Sequence, residues 1–293
     1  MEKTILFDFS KYRKAVDSLC EYLDIEEEFI YKYLTPEIRE QSADDFLAAL
    51  NMPEERLLEA DLLLTALHVT TSNDKCASIK KFGLLNLQNA IKYDTSLSRY
   101  LKKHSIDIDF VKKEIQYNNK VYDIGKNLLE RSVSDDDETR ALYNVIEKLF
   151  ADHQINAFFS RDNVLRYGGS VNSRPEFLED LRYLLDNHEI ENDWKYNCQK
   201  NCYVIKFFEQ PSAFSNDTFW IKEDEAQRLN AKELEIKRRK WIVKRTLEVI
   251  HEYYFYRSLP ENFAFLKSGN EVQTSNFLNI YTENEYIEEY VTV

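Results

Sequence analysis

Glycine and proline are scarce in this chain, five of each in 293 residues. Glycine supplies the positive-φ turns and proline the abrupt stops that cut a chain into short pieces. A sequence with so little of either is expected to run in helices, above all in its first half. From Lys11 to Leu64 the residues Tyr12, Val16, Leu19, Cys20 and Leu23 recur every three or four positions, which is helical spacing. Pro36 and Pro53 divide that segment into short helices.

The pattern changes at ADLLLTALHVTTS, where an apolar run passes into Val69, Thr70 and Thr71 and predicts a strand. NDKCASIKKFGLL follows, with Asn73 or Asp74 as helix cap, Ile79 and Phe82 on one face, and Gly83 where the helix stops. Leu87 to Leu149 reads as further helix, with the acidic turn SVSDDDETR before its last member. INAFFSR is a strand, and Tyr167, Gly168 and Gly169 open a loop after it. RPEFLEDLRYLLDNHE is helical, NCYVIKFFEQ alternates as a strand, and Lys222 to Tyr256 is one long helix. The tail NFLNIYTENEYIEEYVTV is β-branched and aromatic and is expected to end in one or two strands. The fold class is therefore α+β, helical first and strand-rich last. Residues 1–60 form an N-terminal helical region, and 61–293 a larger domain with a helical insertion at about 87–150.

Three segments gather chemistry at strand edges. His68 and Thr70 are two apart on an extended stretch, so both side chains face one pocket. Tyr167 stands beside two of the five glycines, where a loop can come close to a ligand, and its ring could grip a flat partner. In LNIYTENEYIEEYV, strand alternation puts Glu283 and Glu285 on one face with Ile287, and Glu271 is a third carboxylate in the preceding loop.

This series resembles the ADP-ribosyltransferase fold of the His-Tyr-Glu kind, shared in outline by poly(ADP-ribose) polymerases, DarT-like toxins and RNA 2′-phosphotransferases. The resemblance implies a split β-sheet core with helical insertions and NAD as co-substrate. By it, His68 bonds a ribose hydroxyl, the backbone of Val69 holds the nicotinamide amide with Thr70 alongside, and Tyr167 stacks on the nicotinamide. Phe158 and Phe159 support the cofactor floor, and Arg161 and Arg166 serve the pyrophosphate or the acceptor. Glu285 is the catalytic carboxylate, with Glu283 and Glu271 as alternatives. The implied activity is NAD cleavage with release of nicotinamide and transfer of ADP-ribose to protein, DNA or RNA. A bacterial toxin or antiphage effector, with an antitoxin protein as possible partner, is the setting that goes with it. Two departures stand out: the long stretch between the first two motifs, and Val69 where relatives often carry glycine. The alternatives are a non-enzymatic helical interaction protein, an NAD glycohydrolase and an NAD-dependent RNA 2′-phosphotransferase.

Composition narrows the remaining classes. A net charge of −13 excludes general coating of nucleic acid, although EIKRRKWIVKR, with Trp241 inside it, could form a local basic contact. Four irregular cysteines, no apolar run long enough for a bilayer and no signal-peptide core at the start lead us to expect a soluble cytoplasmic protein without membrane contact. Cys198 and Cys202 have ligand-like spacing but no second pair, so no metal is expected. P-loop, GxGxxG and serine-elbow signatures are missing, which removes kinases, Rossmann dehydrogenases and serine hydrolases.

Overall fold

A computed structural model of the protein describes residues 3–38, 40–133, 135–197 and 201–291. In chain order it runs β1 (Lys3–Phe7), α1 (Tyr12–Leu23), α2 (Glu27–Tyr33), α3 (Ala43–Ala49), β2 (Ala60–Ser72) and α4 (Ala77–Phe82). Next come α5 (Leu87–Lys92), α6 (Ser96–Lys103), β3 (Asp107–Asp109), β4 (Glu114–Tyr117), β5 (Lys120–Asp123) and α7 (Asp137–Phe150). The remainder is β6 (Asn156–Ser160), α8 (Phe177–Leu184), α9 (Glu189–Asn192), β7 (Asn201–Glu209), α10 (Glu223–Ala226), α11 (Ala231–Tyr256), β8 (Asn262–Phe265), β9 (Phe277–Thr282) and α12 (Glu283–Tyr286). The class is mixed α+β.

The long strand β2 is the spine of a six-stranded sheet ordered β8-β6-β2-β7-β9, with β1 paired to β2 off this path. Leu64 pairs with both Phe7 and Glu209, and Leu67 with both Phe158 and Lys206. Strand β7 therefore holds one edge of β2, while β1 and β6 share the other, one after the other. One face of the sheet, with Leu64, Ala66, Ile205, Phe207 and Phe159, packs on the helical side against Leu19, Ile242 and Val249. The opposite face, with Leu67, Val69, Phe158 and Val204, is covered by Val164, Leu165, Tyr286 and Tyr290. Lys206 lies buried on that second face, where Asp8 takes its ammonium at 2.5 Å and the Tyr290 hydroxyl accepts from it at 2.9 Å. A charge in such a place must be paired.

Three expectations need correction. The first 60 residues are not all helix: they open with β1, whose Ile5 and Phe7 enter the main core. The 87–150 stretch is not all helix either, because β3, β4 and β5 form a small antiparallel meander. Asn118 and Asn119 turn its second hairpin with φ of 47° and 63°, a left-handed pair that asparagine tolerates. That stretch packs with α8 and α9 around its own core, with Leu142, Leu149, Leu181 and Trp194 inside. Finally, the tail is a strand only to Thr282; Glu283–Tyr286 is helical and a wider helical turn continues over Ile287–Val291. A Thr-x-x-Glu capping box at Thr282 and Glu285 starts that helix.

Candidate functional site

Strands β2 and β6 pair at Leu67 and Phe158 and then part. The next antiparallel pair would set Val69 against Asn156; instead the Asn156 carbonyl accepts from Nδ1 of His68 at 2.7 Å. A carbonyl can only accept, so Nδ1 carries the proton and Nε2 presents a lone pair. Burial holds the imidazole pKa below its ordinary value, the bond to Asn156 opposing, so the ring is neutral at pH 7. His68 is thus a fixed acceptor in the crevice where the sheet splits.

Two cavities meet at this imidazole. The first, about 140 Å³, continues along α4 and is lined by Thr70, Ser78, Ile79, Gly83, Leu84, Leu97 and Trp194. Gly83, at φ +85°, lets the chain pass against Val272, whose carbonyl oxygen would lie 2.1 Å from a Cβ placed there. The N-cap of α4 is Cys76 and not Asn73 or Asp74 as expected; Asp74, two residues before it, accepts from the Ser78 backbone at 3.1 Å, and Arg99 reaches Asp74 at 2.7 Å and Ser78 Oγ at 3.3 Å. The second cavity, about 250 Å³, is lined by apolar Val69, Phe158, Tyr167, Phe263 and Phe265 and by charged Lys148, Asp152 and Glu176.

Tyr167 is 39% exposed and stands edge-on to Phe158 and Phe263, centroids 5.3 and 5.9 Å away. Arg161 lies over Phe158 and Tyr167 at 5.7 and 5.6 Å and is ion-paired with Glu261, while Arg166 is exposed and offers its carbonyl to Arg161. Phe159 is a correction: alternation turns it to the other face, where it is fully buried against Phe9, Phe214 and Trp241 and cannot touch a ligand. The Val69 side chain is buried on the face opposite His68, but the residue still borders the second cavity.

Glu285 lines neither cavity. The strand-alternation argument for Glu283 and Glu285 fails, because both lie in the first turn of α12. One Glu285 oxygen accepts from the Thr282 backbone N–H and hydroxyl, each at 2.7 Å, and these bonds hold its pKa below the usual carboxylate value. Thr282 pairs with Tyr203, which pairs with Thr70, so Glu285 follows the end of a row of three strands that begins beside His68. Glu271 accepts from Asn89 at 2.8 Å, next to the Leu84–Val272 bridge.

Four residues of this region carry no motif. Lys148 bonds Asp152 at 2.5 Å and Glu176 at 2.7 Å. Burial acts to lower its pKa, yet the two carboxylates outweigh it and the ammonium stays firmly charged. Arg174 is buried, donates to the Gly169 carbonyl at 2.7 Å and bonds Glu191 at 2.5 Å, so it fixes the loop that carries Tyr167. Lys148 and Asp152 are four apart in sequence, the last turn of α7 and the residue just past its cap, and that spacing is the hint the sequence offers.

The basic run on α11 borders an open cavity of about 730 Å³, but acidic Glu40, Asp44, Glu54, Glu225 and Glu233 line it as well. Lys237, Lys240 and Lys244 are paired with Glu225, Glu54 and Glu40, while Arg238, Arg239 and Arg245 are buried. Trp241 is core, packed on Phe159 and Phe219, with an edge on that cavity. Cys198 lies outside the described residues, and Cys202 is buried. Among the described residues no cluster of three or more metal-ligand side chains is present, and no helix is long and apolar enough to cross a membrane. Comparison with protein-family models, with curated proteins and with solved structures finds no match to the chain.

Proposed function

We propose that the chain is an ADP-ribosyltransferase that binds NAD across the junction at His68, releases nicotinamide and passes ADP-ribose to a macromolecule. The supporting observation is that junction: a neutral imidazole with a free Nε2 lone pair stands between an aromatic-walled cavity and a second one running along α4. A dinucleotide has two ring-bearing halves joined through sugars, which suits two lobes meeting at a hydrogen-bond acceptor.

In this reading the nicotinamide lies against Tyr167 in the larger cavity, and the other half of NAD follows Thr70, Ile79 and Leu84. Nε2 of His68 accepts from a hydroxyl of the nicotinamide ribose and fixes the sugar. The bond from C1′ to the pyridinium nitrogen then breaks with its electron pair going to the nitrogen, so nicotinamide leaves neutral and positive charge develops on the sugar. A carboxylate on the 2′-hydroxyl stabilises that charge. The resemblance gives this role to Glu285, which must exchange its capping bonds to Thr282 for the sugar hydroxyl. The resemblance to stand-alone toxin transferases supplies the corresponding setting, a cytoplasmic toxin or antiphage effector with a neutralising protein partner.

Incubation of the purified protein with labelled NAD and separate protein, DNA and RNA pools tests the proposal. Label is expected in one pool, together with free nicotinamide. No label in any pool and no nicotinamide would overturn it.

A further inference from the structure

Three charged residues line the same cavity as Tyr167 and have no part in holding NAD as described: Lys148, Asp152 and Glu176. Lys148 reaches from α7 to the Asp152 carboxylate at 2.5 Å and to Glu176 Oε2 at 2.7 Å. The other Glu176 oxygen, Oε1, carries no hydrogen bond among the described residues and faces Gly169, where an added Cβ would stand 3.5 Å from it. Gly169 holds φ +77°, and buried Arg174 anchors its carbonyl, so the Tyr167 loop is pinned next to this carboxylate. Glu176 is exposed, and so is Tyr167, which puts the pair at the open mouth of the cavity.

An attacking group enters through that mouth once nicotinamide has begun to leave. A neutral hydroxyl or N–H nucleophile must lose a proton as it bonds to C1′, and a carboxylate at the mouth can take it. A carboxylate acceptor has no such proton to lose. It would also meet Asp152 and Glu176, two negative charges against the single ammonium of Lys148.

We propose that Glu176 is the general base for the acceptor, and that the acceptor attacks through a neutral hydroxyl or N–H group and not through a carboxylate. The inference rests on the NAD-cleaving reading above. The step balances as follows: the acceptor oxygen or nitrogen forms a bond to C1′, the bond from C1′ to nicotinamide breaks with its pair to the ring nitrogen, and the acceptor proton passes to Oε1 of Glu176. Lys148 is a positioning residue, holding Oε2 and leaving Oε1, beside Gly169, to take the proton.

The test uses the full chain, labelled NAD and whichever macromolecular pool takes up label. The labelled product is treated briefly with neutral hydroxylamine, which cleaves ADP-ribose esters of carboxylates much faster than glycosidic links to hydroxyl oxygen or nitrogen. In parallel, transfer and nicotinamide release are measured for wild type, E176Q and E285Q, each checked by thermal melting. The label is expected to resist hydroxylamine. Transfer by E176Q is expected to fall by roughly 100-fold, the scale of a lost general base. Nicotinamide release should fall less, because water still captures the sugar, so the ratio of release to transfer rises; for E285Q both should fall together. Hydroxylamine-labile label, or E176Q transfer close to that of wild type, would overturn the proposal while leaving NAD cleavage standing. Wild-type protein that releases no nicotinamide would overturn the NAD reading itself. The hydroxylamine arm needs no variant, so poor folding of E176Q does not remove the test.

Discussion

At the scale of single residues, Gly83 and Asp180 make the physical account measurable. Gly83→Ala puts a Cβ 2.1 Å from the Val272 carbonyl oxygen at φ +85°, so the bridge between residues 84 and 272 must open. A loss of about 2–4 kcal/mol in denaturant unfolding is expected, combining left-handed strain with a steric clash. Unchanged stability would mean that this close approach is absent. Asp180 has one carboxylate oxygen buried without a hydrogen-bond partner among the described residues; burial pushes its pKa up to about 6, with Lys148 opposing and Glu176 and Glu179 adding. Because the folded chain binds that proton more tightly than the unfolded one, its contribution to stability is full below the ordinary value of 3.8 and is lost as pH rises through 6. Asp180→Asn should therefore stabilise the protein at pH 8 by about 1–2 kcal/mol, reduced for partial solvent screening, and bring little gain at pH 4. A gain of equal size at both pH values would contradict this origin. His68, Thr70 and Gly83 were readable in the sequence because each is set by local spacing. Lys148, Asp152, Arg174 and Glu176 were not, because the folding of distant segments brings them to the cavity.

At the scale of elements, the scarcity of glycine misled where other residues make the turns. Asn118 and Asn119 turn the β4–β5 hairpin, and Asp24, Ser105 and Lys113 also adopt positive φ, so breaks in the chain were hidden among polar residues. The tail shows the opposite failure. Its β-branched and aromatic residues favour a strand, yet the Thr282–Glu285 capping box starts a helix, and Tyr286 accepts from the Val164 backbone N–H at 3.1 Å across the second face. Tyr286 therefore couples the turn bearing Glu285 to the loop bearing Tyr167. Strands β2 and β6 were legible as apolar runs and β7 by its alternation, whereas β1 is a short strand whose partner lies more than fifty residues away. Its removal is a test at this scale. Ile5, Phe7 and Phe9 are fully buried, and losing them costs about 5–9 kcal/mol of burial, comparable to the whole stability of a domain. Deletion of residues 1–10 should abolish cooperative thermal unfolding, and a truncated chain that melts cooperatively near the wild-type temperature would show that β1 is dispensable.

At the scale of the whole molecule, the six-stranded sheet carries a main core on one face and a smaller one on the other, and a third core gathers the 87–150 stretch with α8 and α9. The proposed site lies where these parts meet: β2 brings His68, the loop after β6 brings Tyr167, and α7 with the start of α8 brings the charged residues. On this account the inserted stretch is part of the site, because Lys148 comes from its last helix and Asp152 follows directly after it. The central claim is that a neutral His68 holds NAD for cleavage, and nicotinamide release by wild type and by His68→Ala tests it most directly. Wild type is expected to release nicotinamide, and His68→Ala, folded by its melting curve, to do so at least about 100-fold more slowly, the scale of losing a sugar-positioning contact in the transition state. Equal release by the two proteins, or none by the wild type, would contradict the account.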